Sequence, residues 1–127
     1  MFTSDQAFSG FAVDDIPAAR EFYGTVLGLD VRVNEMGFLD LHFANGHSVF
    51  VYGKPVHEPA SFTILNFPVD DLDAAMRDLR SRGVETKIYA DDELPTDELG
   101  IARGMGGGPD IGWIRDPAGN VLAIIQA

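Results

Sequence analysis

The sequence contains no cysteine, few basic residues and no long apolar run. The absence of cysteine among 127 residues excludes disulfide scaffolds, thiolate zinc sites and cysteine nucleophiles, and it suits a reducing cytoplasm. Apolar stretches such as 121–125 fall far short of the roughly 18 residues that a membrane-spanning helix requires. The first basic residue is Arg20, so the start of the chain lacks the pattern of a signal peptide. We therefore expect a soluble, cytoplasmic protein.

Acidic residues outnumber basic ones in both halves of the chain. The 20 acids and 9 bases give a formal charge of −11. Residues 1–63 carry 3 bases and 8 acids, and residues 64–127 carry 6 and 12. Phosphate backbones and anionic lipid surfaces bind cationic faces. We therefore expect neither nucleic acid nor a membrane as a partner.

The most informative feature is an internal repeat. The segment 11–19 (FAVDDIPAA) matches 67–75 (FPVDDLDAA) at six of nine positions, with an offset of 56 residues. The length favours a single domain, residues 1–127, with a sizeable core. Within it we predict one module at about 5–54, a linker at about 55–61 and a second module at about 62–127.

Each copy has the pattern of a strand, a helix and three further strands. Alternating apolar residues predict the first strand of each copy, and an Asp-Asp pair at 14–15 or 70–71 then predicts a helix start. Gly28 and Gly83 stand where a helix ends in a left-handed residue. The predicted strands are 8–13, 30–34, 38–44 and 48–52 in the first copy, and 62–69, 85–89, 111–115 and 121–126 in the second.

A sheet with a single helix buries one face and leaves the other uncovered. Two such sheets side by side can curl their uncovered faces around a shared cleft, which is then the expected binding site.

This element order resembles the vicinal oxygen chelate superfamily, which includes glyoxalases, bleomycin-resistance proteins, fosfomycin-resistance enzymes and extradiol dioxygenases. The resemblance covers essentially the whole chain and includes Phe-Tyr at 22–23, Gly-Leu at 28–29 and Asp-Pro-x-Gly-Asn at 116–120. It implies an α+β fold in which two βαβββ modules form an open, eight-stranded mixed cup. It also implies assembly as a homodimer.

Enzymes of this superfamily usually bind a divalent metal through residues on the first and last strands of each module. The resemblance places those ligand positions at Phe8, Ile64 and Ala123, with a fourth near Phe50. Aromatic and aliphatic side chains supply no donor to a divalent cation. We therefore expect no metal, no other cofactor, and none of the chemistry in which a metal polarises the oxygens of a substrate.

Strand alternation predicts which side chains line the cleft if Phe8 does. The expected lining is mainly aromatic and aliphatic, with a few polar groups. The candidate ligand-binding residues are Phe8, Asp40, His42, Phe50, Tyr52, Ile64, Asn66, Arg103, Met105, Trp113 and Ala123.

Asp40 and His42 are the candidate catalytic pair, because an i, i+2 spacing projects both side chains from one strand face. A carboxylate that orients an imidazole can serve as a general base. Three interpretations stay open: ordinary polar residues on a surface strand, a hydrogen bond to a ligand, and catalysis or a displaced metal site.

Residues 90–110 interrupt the repeat with acidic residues followed by a glycine cluster. A loop of this length in a small domain is usually functional or mobile. We interpret it as a hinge or lid over the second module's part of the cleft that brings Arg103 and Met105 to the ligand, and the alternative is a disordered tip. Gly104–Gly108 is not a phosphate loop, since neither Lys-Ser/Thr nor a helix follows it.

Trp113 is either a residue of the hydrophobic core or a residue that lines the pocket, because an indole combines a large apolar face with one hydrogen-bond donor.

The favoured function is metal-independent binding of a small, mostly apolar or aromatic organic molecule, with sequestration of the bleomycin-resistance type as its form. The alternative is a glyoxalase-like lyase, isomerase or dioxygenase that uses a displaced metal or acid-base chemistry around Asp40 and His42. A third class, a structural or regulatory module acting through its dimer surface, has no feature in its favour beyond the missing metal ligands.

Overall fold

The strand ladders in the computed structural model follow the sequence repeat. The structure describes residues 1–86, 96–104 and 108–127. The chain divides into two units, Met1–Glu58 and Pro59–Ala127, which we call unit one and unit two. In the described part of the chain no helix has the length and apolar composition needed to cross a membrane.

Unit one contains a four-stranded sheet with one helix. Its elements are β1 (Ser9–Val13), α1 (Ile16–Arg20) continuing as a π-helix (Glu21–Val26), β2 (Asp30–Val33), β3 (Leu39–His42) and β4 (Ser48–Gly53). The strand order is β1-β4-β3-β2. Strand β1 runs parallel to β4, whereas the β4–β3 and β3–β2 pairs are antiparallel.

Unit two repeats this arrangement with one additional strand. Its elements are β5 (Thr63–Val69), α2 (Leu72–Ser81), β6 (Glu85–Thr86), β7 (Ile101–Ala102), β8 (Ile111–Arg115) and β9 (Val121–Gln126). The strand order is β5-β9-β8-β6, and β7 also pairs with β8. Strand β5 is parallel to β9, which matches the β1–β4 pair of unit one.

The α+β fold of two βαβββ modules is confirmed, with one correction. In the described residues the sheets are open, as predicted, and contain four and five strands, one more than the predicted eight, because β7 forms within the segment 90–110 that the sequence predicted as a loop. Of that segment, 90–95 and 105–107 lie outside the described residues, as do residues 87–89 of the predicted strand 85–89.

Both helices begin and end as predicted. Asp15 Oδ1 accepts a hydrogen bond from the Ala18 amide at 3.0 Å, and Asp71 Oδ1 accepts one from the Ala74 amide at 3.1 Å. These side chains satisfy amide groups that have no partner within the helix. At the other ends Gly28 and Gly83 adopt φ angles of +76° and +81°, which glycine accepts without a steric penalty.

The π-helix accommodates one additional residue in unit one. The helix starts, Ile16 and Leu72, are 56 residues apart, but the terminal glycines, Gly28 and Gly83, are only 55 apart. In the π-helix the Leu27 amide donates to the Phe22 carbonyl, five residues back, at 2.9 Å. Wider turns of this kind hold one more residue than an α-helical turn. The extra residue therefore stays in the helix and leaves the strands that follow in register.

Each helix packs on one face of its own sheet. In unit one the Phe11 ring on β1 lies 5.8 Å from the Tyr23 ring, and Tyr23, Leu39 and Leu41 are completely buried. In unit two a Cβ atom added to Gly112 would lie only 2.7 Å from the Met76 sulfur of α2. The glycine therefore permits the close approach of α2 to β8.

The turn between β8 and β9 is held by a buried carboxylate. Asp116 Oδ1 accepts hydrogen bonds from the amides of Ala118 and Asn120 at 3.0 and 2.8 Å. Asp116 Oδ2 accepts a third, from the Asn120 side-chain amide, at 3.0 Å. Gly119 completes the turn with a φ of +85°. This is the structural role of the Asp-Pro-x-Gly-Asn motif.

Arg103 fastens the segment that contains β7. Its guanidinium contacts both carboxylate oxygens of Asp73 on α2, at 2.8 and 3.0 Å, and it also pairs with Asp97 at 2.9 Å and Asp110 at 3.5 Å. The hydrogen bond from Arg103 lowers the pKa of Asp73, and the hydrogen bond to Asp73 raises the pKa of Arg103. The four side chains join β7 to α2 and to the start of β8.

We expect Asp116→Ala to lower the free energy of unfolding by about 2 to 3 kcal/mol, because several donors lose their acceptor at once. Urea denaturation followed by circular dichroism measures this change. Asp14→Ala, which removes an exposed carboxylate, serves as the control and should stay within about 0.5 kcal/mol of the wild type. A loss no larger than that of the control would contradict the structural role of Asp116.

We expect Arg103→Ala to loosen β7 and to shift the emission of Trp113, the single tryptophan, to longer wavelength. The reason is that Trp113 packs against Ala102 of β7. Arg82→Ala, which breaks an Arg82–Asp78 pair of 2.8 Å at the C-terminal end of α2, is the control and should leave the emission unchanged. Equal emission spectra for both variants and the wild type would show that the ion pairs of Arg103 do not hold β7.

The ion pairs of Arg103 with Asp73 and Asp97 determine how the stability of this segment changes in acid. Burial opposes the ionisation of Asp97, but hydrogen bonds from the Ile101 and Leu99 amides and from Arg103 hold its pKa below the ordinary 3.8. A carboxylate with a lowered pKa stabilises the folded state above its ordinary pKa, and that stabilisation is lost as the pH falls through the lowered value. The Trp113 emission of the wild type should therefore shift to longer wavelength as the pH falls below about 3.8. We expect the same shift for Arg103→Ala at neutral pH.

Candidate functional site

The face of the unit one sheet opposite its helix carries the predicted site residues of that unit. Alternation places Phe11, Leu39 and Leu41 against the helix. Asp40 and His42 therefore lie on the other side of the sheet, together with Phe50 of β4. Cross-strand pairing sets Asp40 beside Phe50, and His42 beside Ser48. We call this side the outer face of unit one.

Four aromatic rings form a contiguous cluster on this outer face, and we call it the aromatic panel: Phe8, Phe38, Phe50 and Tyr52. The Phe50 ring lies at its centre. It contacts Phe8 edge-on, with centroids 6.3 Å apart, and stacks on Tyr52 at 5.7 Å with an interplanar angle of 24°. Phe38 lies on another side of it at 6.0 Å. These distances are those of favourable aromatic pairs.

The aromatic panel is open to solvent although its rings are large and apolar. The side chain of Phe8 is 69% exposed and that of Tyr52 is 37% exposed. Phe50 and Phe38 are half-buried. An exposed cluster of apolar side chains is more informative than scattered single ones, because such patches often mark a binding surface.

Polar and charged groups border the aromatic panel on β3 and β2. Asp40 is half-buried and accepts a hydrogen bond from the Asn34 side-chain amide at 3.4 Å. On the neighbouring strand Arg32 lies opposite Asp40 and donates to Asp30 at 2.9 Å, and this bond lowers the pKa of Asp30. His42 lies opposite Asp30. The outer face thus changes from aromatic around β4 to charged on β2.

The side chains at the positions of the superfamily metal ligands do not fit a metal. The Phe8 and Phe50 rings contact each other, and neither has a donor atom. In unit two Ala123 lies opposite Asn66, and Ile64 lies at a register shift between Thr63 and Leu65. Among the described residues no three histidine, cysteine or acidic side chains converge as a metal site would need. We assign no chemical step here to a metal.

The corresponding face of unit two is packed rather than open. Trp113 is 6% exposed and forms a buried cluster with Ala102, Val121 and Ala123. Its indole nitrogen donates to the Thr63 hydroxyl at 3.2 Å, which gives the indole donor the partner that it needs. Asn66 is exposed. The predicted roles of Ile64, Asn66, Trp113 and Ala123 in ligand binding stay predictions.

Two candidates lie on the segment 90–110. Arg103 faces the three carboxylates described above, so its positive charge is already paired within unit two. Its contact with a ligand and the action of the segment as a lid stay predictions. Met105 lies outside the described residues.

Sequence reasoning identified most of the outer face but not its connections. The structure brings together Phe8, Phe50 and Tyr52 in one ring cluster, and it adds Phe38, which alternation from Leu39 indicates. It also adds the Asn34 side chain as the partner of Asp40, and Thr63 as the partner of Trp113. Thr63 lies 50 residues from Trp113, and no local pattern connects them.

Solved structures with the same fold cover nearly the whole chain. A bleomycin-binding protein complexed with bleomycin is 23% identical, covers 98% of this chain and 99% of its own, and gives a TM-score of 0.67. A superfamily member from Sphaerobacter thermophilus is 20% identical over 95% of this chain and 97% of its own, with a TM-score of 0.69. TnmS3, an antibiotic binding protein from Streptomyces sp. CB03234, is 22% identical over 98% of both chains, with a TM-score of 0.63. At these identities the similarity shows the fold alone.

A search of curated protein sequences gives no match. The model of the glyoxalase/bleomycin resistance protein/dioxygenase superfamily matches residues 6–124, which is nearly the whole chain. The duplicated module, its parallel β1–β4 and β5–β9 pairs and this match agree with one another. The chain therefore belongs to the glyoxalase/bleomycin resistance protein/dioxygenase superfamily.

Proposed function

We propose that the outer face of unit one binds a small, mostly apolar or aromatic organic molecule without a metal. The observation that carries this proposal is the aromatic panel, in which two exposed and two half-buried rings contact one another with centroids 5.7 to 6.3 Å apart. Rings held in mutual contact lose little further conformational freedom when a flat molecule stacks on them. The panel is thus prepared for an aromatic ligand.

The polar neighbours of the panel supply orientation. Ligand sites are mainly apolar with a few polar groups that fix the orientation of the molecule. Here Asp40 lies opposite Phe50, and the hydroxyl of Tyr52 extends from the stacked ring. A ligand that stacks on Phe50 therefore has an acceptor and a hydroxyl within the same face.

Two of the structural relatives are described as a bleomycin-binding protein and an antibiotic binding protein. Binding of this kind needs complementary surfaces and no catalytic group. It is consistent with the apolar side chains at the positions where enzymes of the superfamily hold their metal. Sequestration of an organic molecule is the function that the outer face supports best.

Catalysis by Asp40 and His42 has less support. The hydrogen bond described for Asp40 comes from Asn34, and in the described part of the chain His42 does not bond to Asp40. An imidazole base oriented by a carboxylate requires that bond. The alternative of a lyase, isomerase or dioxygenase therefore stays a prediction without a supporting contact.

Calorimetric titration with two probes, metal-free bleomycin and neutral 2-naphthol, tests the aromatic panel. We expect at least one probe to bind in the presence of EDTA, and Phe8→Ala to weaken its binding by about tenfold, the value of one lost aromatic contact. Phe62→Ala is the matched control, since Phe62 is equally exposed at 69% and lies in unit two. Two results would contradict the aromatic panel as the binding surface. One is a wild type that shows no heat of binding with either probe, and the other is an equal loss of affinity in Phe8→Ala and Phe62→Ala.

Metal independence has its own test. Protein purified without a histidine tag is incubated with Zn²⁺, Mn²⁺ and Ni²⁺, desalted and analysed for bound metal. We expect less than about a tenth of an equivalent, because a functional site survives desalting. Phe8→His combined with Phe50→Glu restores donor atoms on neighbouring strands and should raise the retained metal. One equivalent on the wild type would refute the metal-free proposal.

A further inference from the structure

The helix of unit one does not fully cover strand β2, the last strand in the order β1-β4-β3-β2. Val31 lies opposite Leu41 of β3, and paired side chains share one face of the sheet. In the same way Val33 lies opposite Leu39. Both leucines are completely buried, whereas Val31 is half-buried and Val33 is 50% exposed. The helix therefore buries the side chains of β3 and leaves those of β2 only partly covered.

A groove lies between β2 and the helical segment of unit one, on the side of the sheet opposite the aromatic panel. Its volume of about 710 Å³ falls within the range of about 300 to 1,000 Å³ typical of small-molecule sites. Among the described residues that line it, none carries an aromatic ring. We call it the aliphatic groove after its main apolar side chains, which are Ile16, Leu29, Val31 and Val33.

The π-helix forms one wall of the aliphatic groove. Glu21, Gly24 and Thr25 of this helix line the groove. A Cβ atom added to Gly24 would lie 3.6 Å from a methyl group of Val31, so a larger side chain at this position would close part of the space. Wide helical turns are frequent at functional sites. The turn that holds the additional residue thus also shapes the groove.

Arg20 lies on the aliphatic groove at a helix position that is apolar in unit two. Counted from the two helix starts, Arg20 corresponds to Met76, which is buried close to Gly112 of β8. The strand position that corresponds to Gly112 is Leu39, which is completely buried. In unit one the strand residue thus contributes the larger side chain to the core, and the helix residue is an exposed cation.

The charged groups that line the aliphatic groove differ in whether they have a partner. Glu21 accepts a hydrogen bond from the Thr25 hydroxyl at 3.3 Å, and Asp30 pairs with Arg32 at 2.9 Å. Within the described part of the chain, the guanidinium of Arg20 forms no ion pair. The charge that is left for a ligand in this groove is therefore positive.

We infer that the aliphatic groove is a second binding site, which takes a small aliphatic monocarboxylate with its charge on Arg20 and its chain along the valines of β2. A guanidinium can bind both oxygens of a carboxylate. The carboxylates of Glu21 and Asp30 repel a second negative charge, which disfavours phosphates and dicarboxylates. The inference goes beyond the proposed function and does not depend on it, because the aromatic panel lies on the other side of the sheet.

Two-dimensional amide NMR with octanoate and octylammonium, both below micelle formation, tests this site. We expect octanoate to shift the amide signals of Leu29, Val31 and Val33, and octylammonium to bind at least about fivefold more weakly. The overall charge of −11 attracts the cationic probe instead. At physiological salt, where screening reduces charge effects beyond about 8 Å, a preference for octanoate therefore reports the groove itself.

Substitutions of Arg20 test the recognition of the carboxylate. Arg20→Gln should weaken octanoate binding by about fivefold to tenfold, because the charge-assisted hydrogen bonds are lost. Arg20→Glu should reverse the preference, so that octylammonium binds more tightly than octanoate. Arg77→Gln changes the charge of another exposed helical arginine, on α2, and should leave octanoate binding unchanged. Circular dichroism verifies that every variant is folded.

Val33→Asp tests the aliphatic wall. Because Val33 is 50% exposed, the variant should remain folded and lose octanoate binding. Val56→Asp is the control, since Val56 is 79% exposed in unit one and is not among the residues that line the groove.

Four results would overturn the inference. They are groove amides that do not move with octanoate, equal affinities for the two probes, equal losses in Arg20→Gln and Arg77→Gln, and equal losses in Val33→Asp and Val56→Asp. Octanoate shifts confined to Gly10 and Tyr52 would also overturn it, since they would assign the carboxylate to the aromatic panel.

Discussion

One helix covers one face of each sheet, and the rest of the structure depends on this constraint. Side chains alternate along a strand, so every residue that packs on the helix commits its neighbours to the opposite side. Phe11 packs near Tyr23 in unit one, and Gly112 lies against Met76 in unit two. The face opposite the helix is therefore separate from the helix-packed face, and it is exposed in unit one and buried around Trp113 in unit two.

The two outer faces have become different surfaces from the same topology. Cross-strand pairing puts Phe50 beside Asp40 in unit one and Ala123 beside Trp113 in unit two, so the two pairs occupy equivalent places. In unit one the equivalent place is an exposed group of rings with a carboxylate beside it. In unit two it is a buried indole whose donor is satisfied by Thr63. The two copies of the repeat thus share one backbone topology, but the side chains on this face differ between them.

The sequence predicted the elements whose pattern is local. The bounds of β8 and β9 agree residue for residue, and the Asp15 and Asp71 caps lie where the Asp-Asp pairs indicate. Strand β7 escaped prediction because two residues carry no periodicity. The ion pairs of Arg103 escaped because Asp73 is 30 residues away along the chain. The side chains of the outer face could be chosen by alternation, but the contacts between rings depend on rotamers, which a sequence pattern does not specify.

The π-helix of unit one has a consequence for how the two halves can vary. Because the wide turn absorbs one residue between Ile16 and Gly28, an insertion in one copy of the duplication does not slip the strands downstream. Deleting that residue would convert the turn to an ordinary α-helix like α2 of unit two, and the strands that follow would stay in register. The wide turn thus lets one copy of the repeat gain or lose a single residue while the pairing of its strands stays the same.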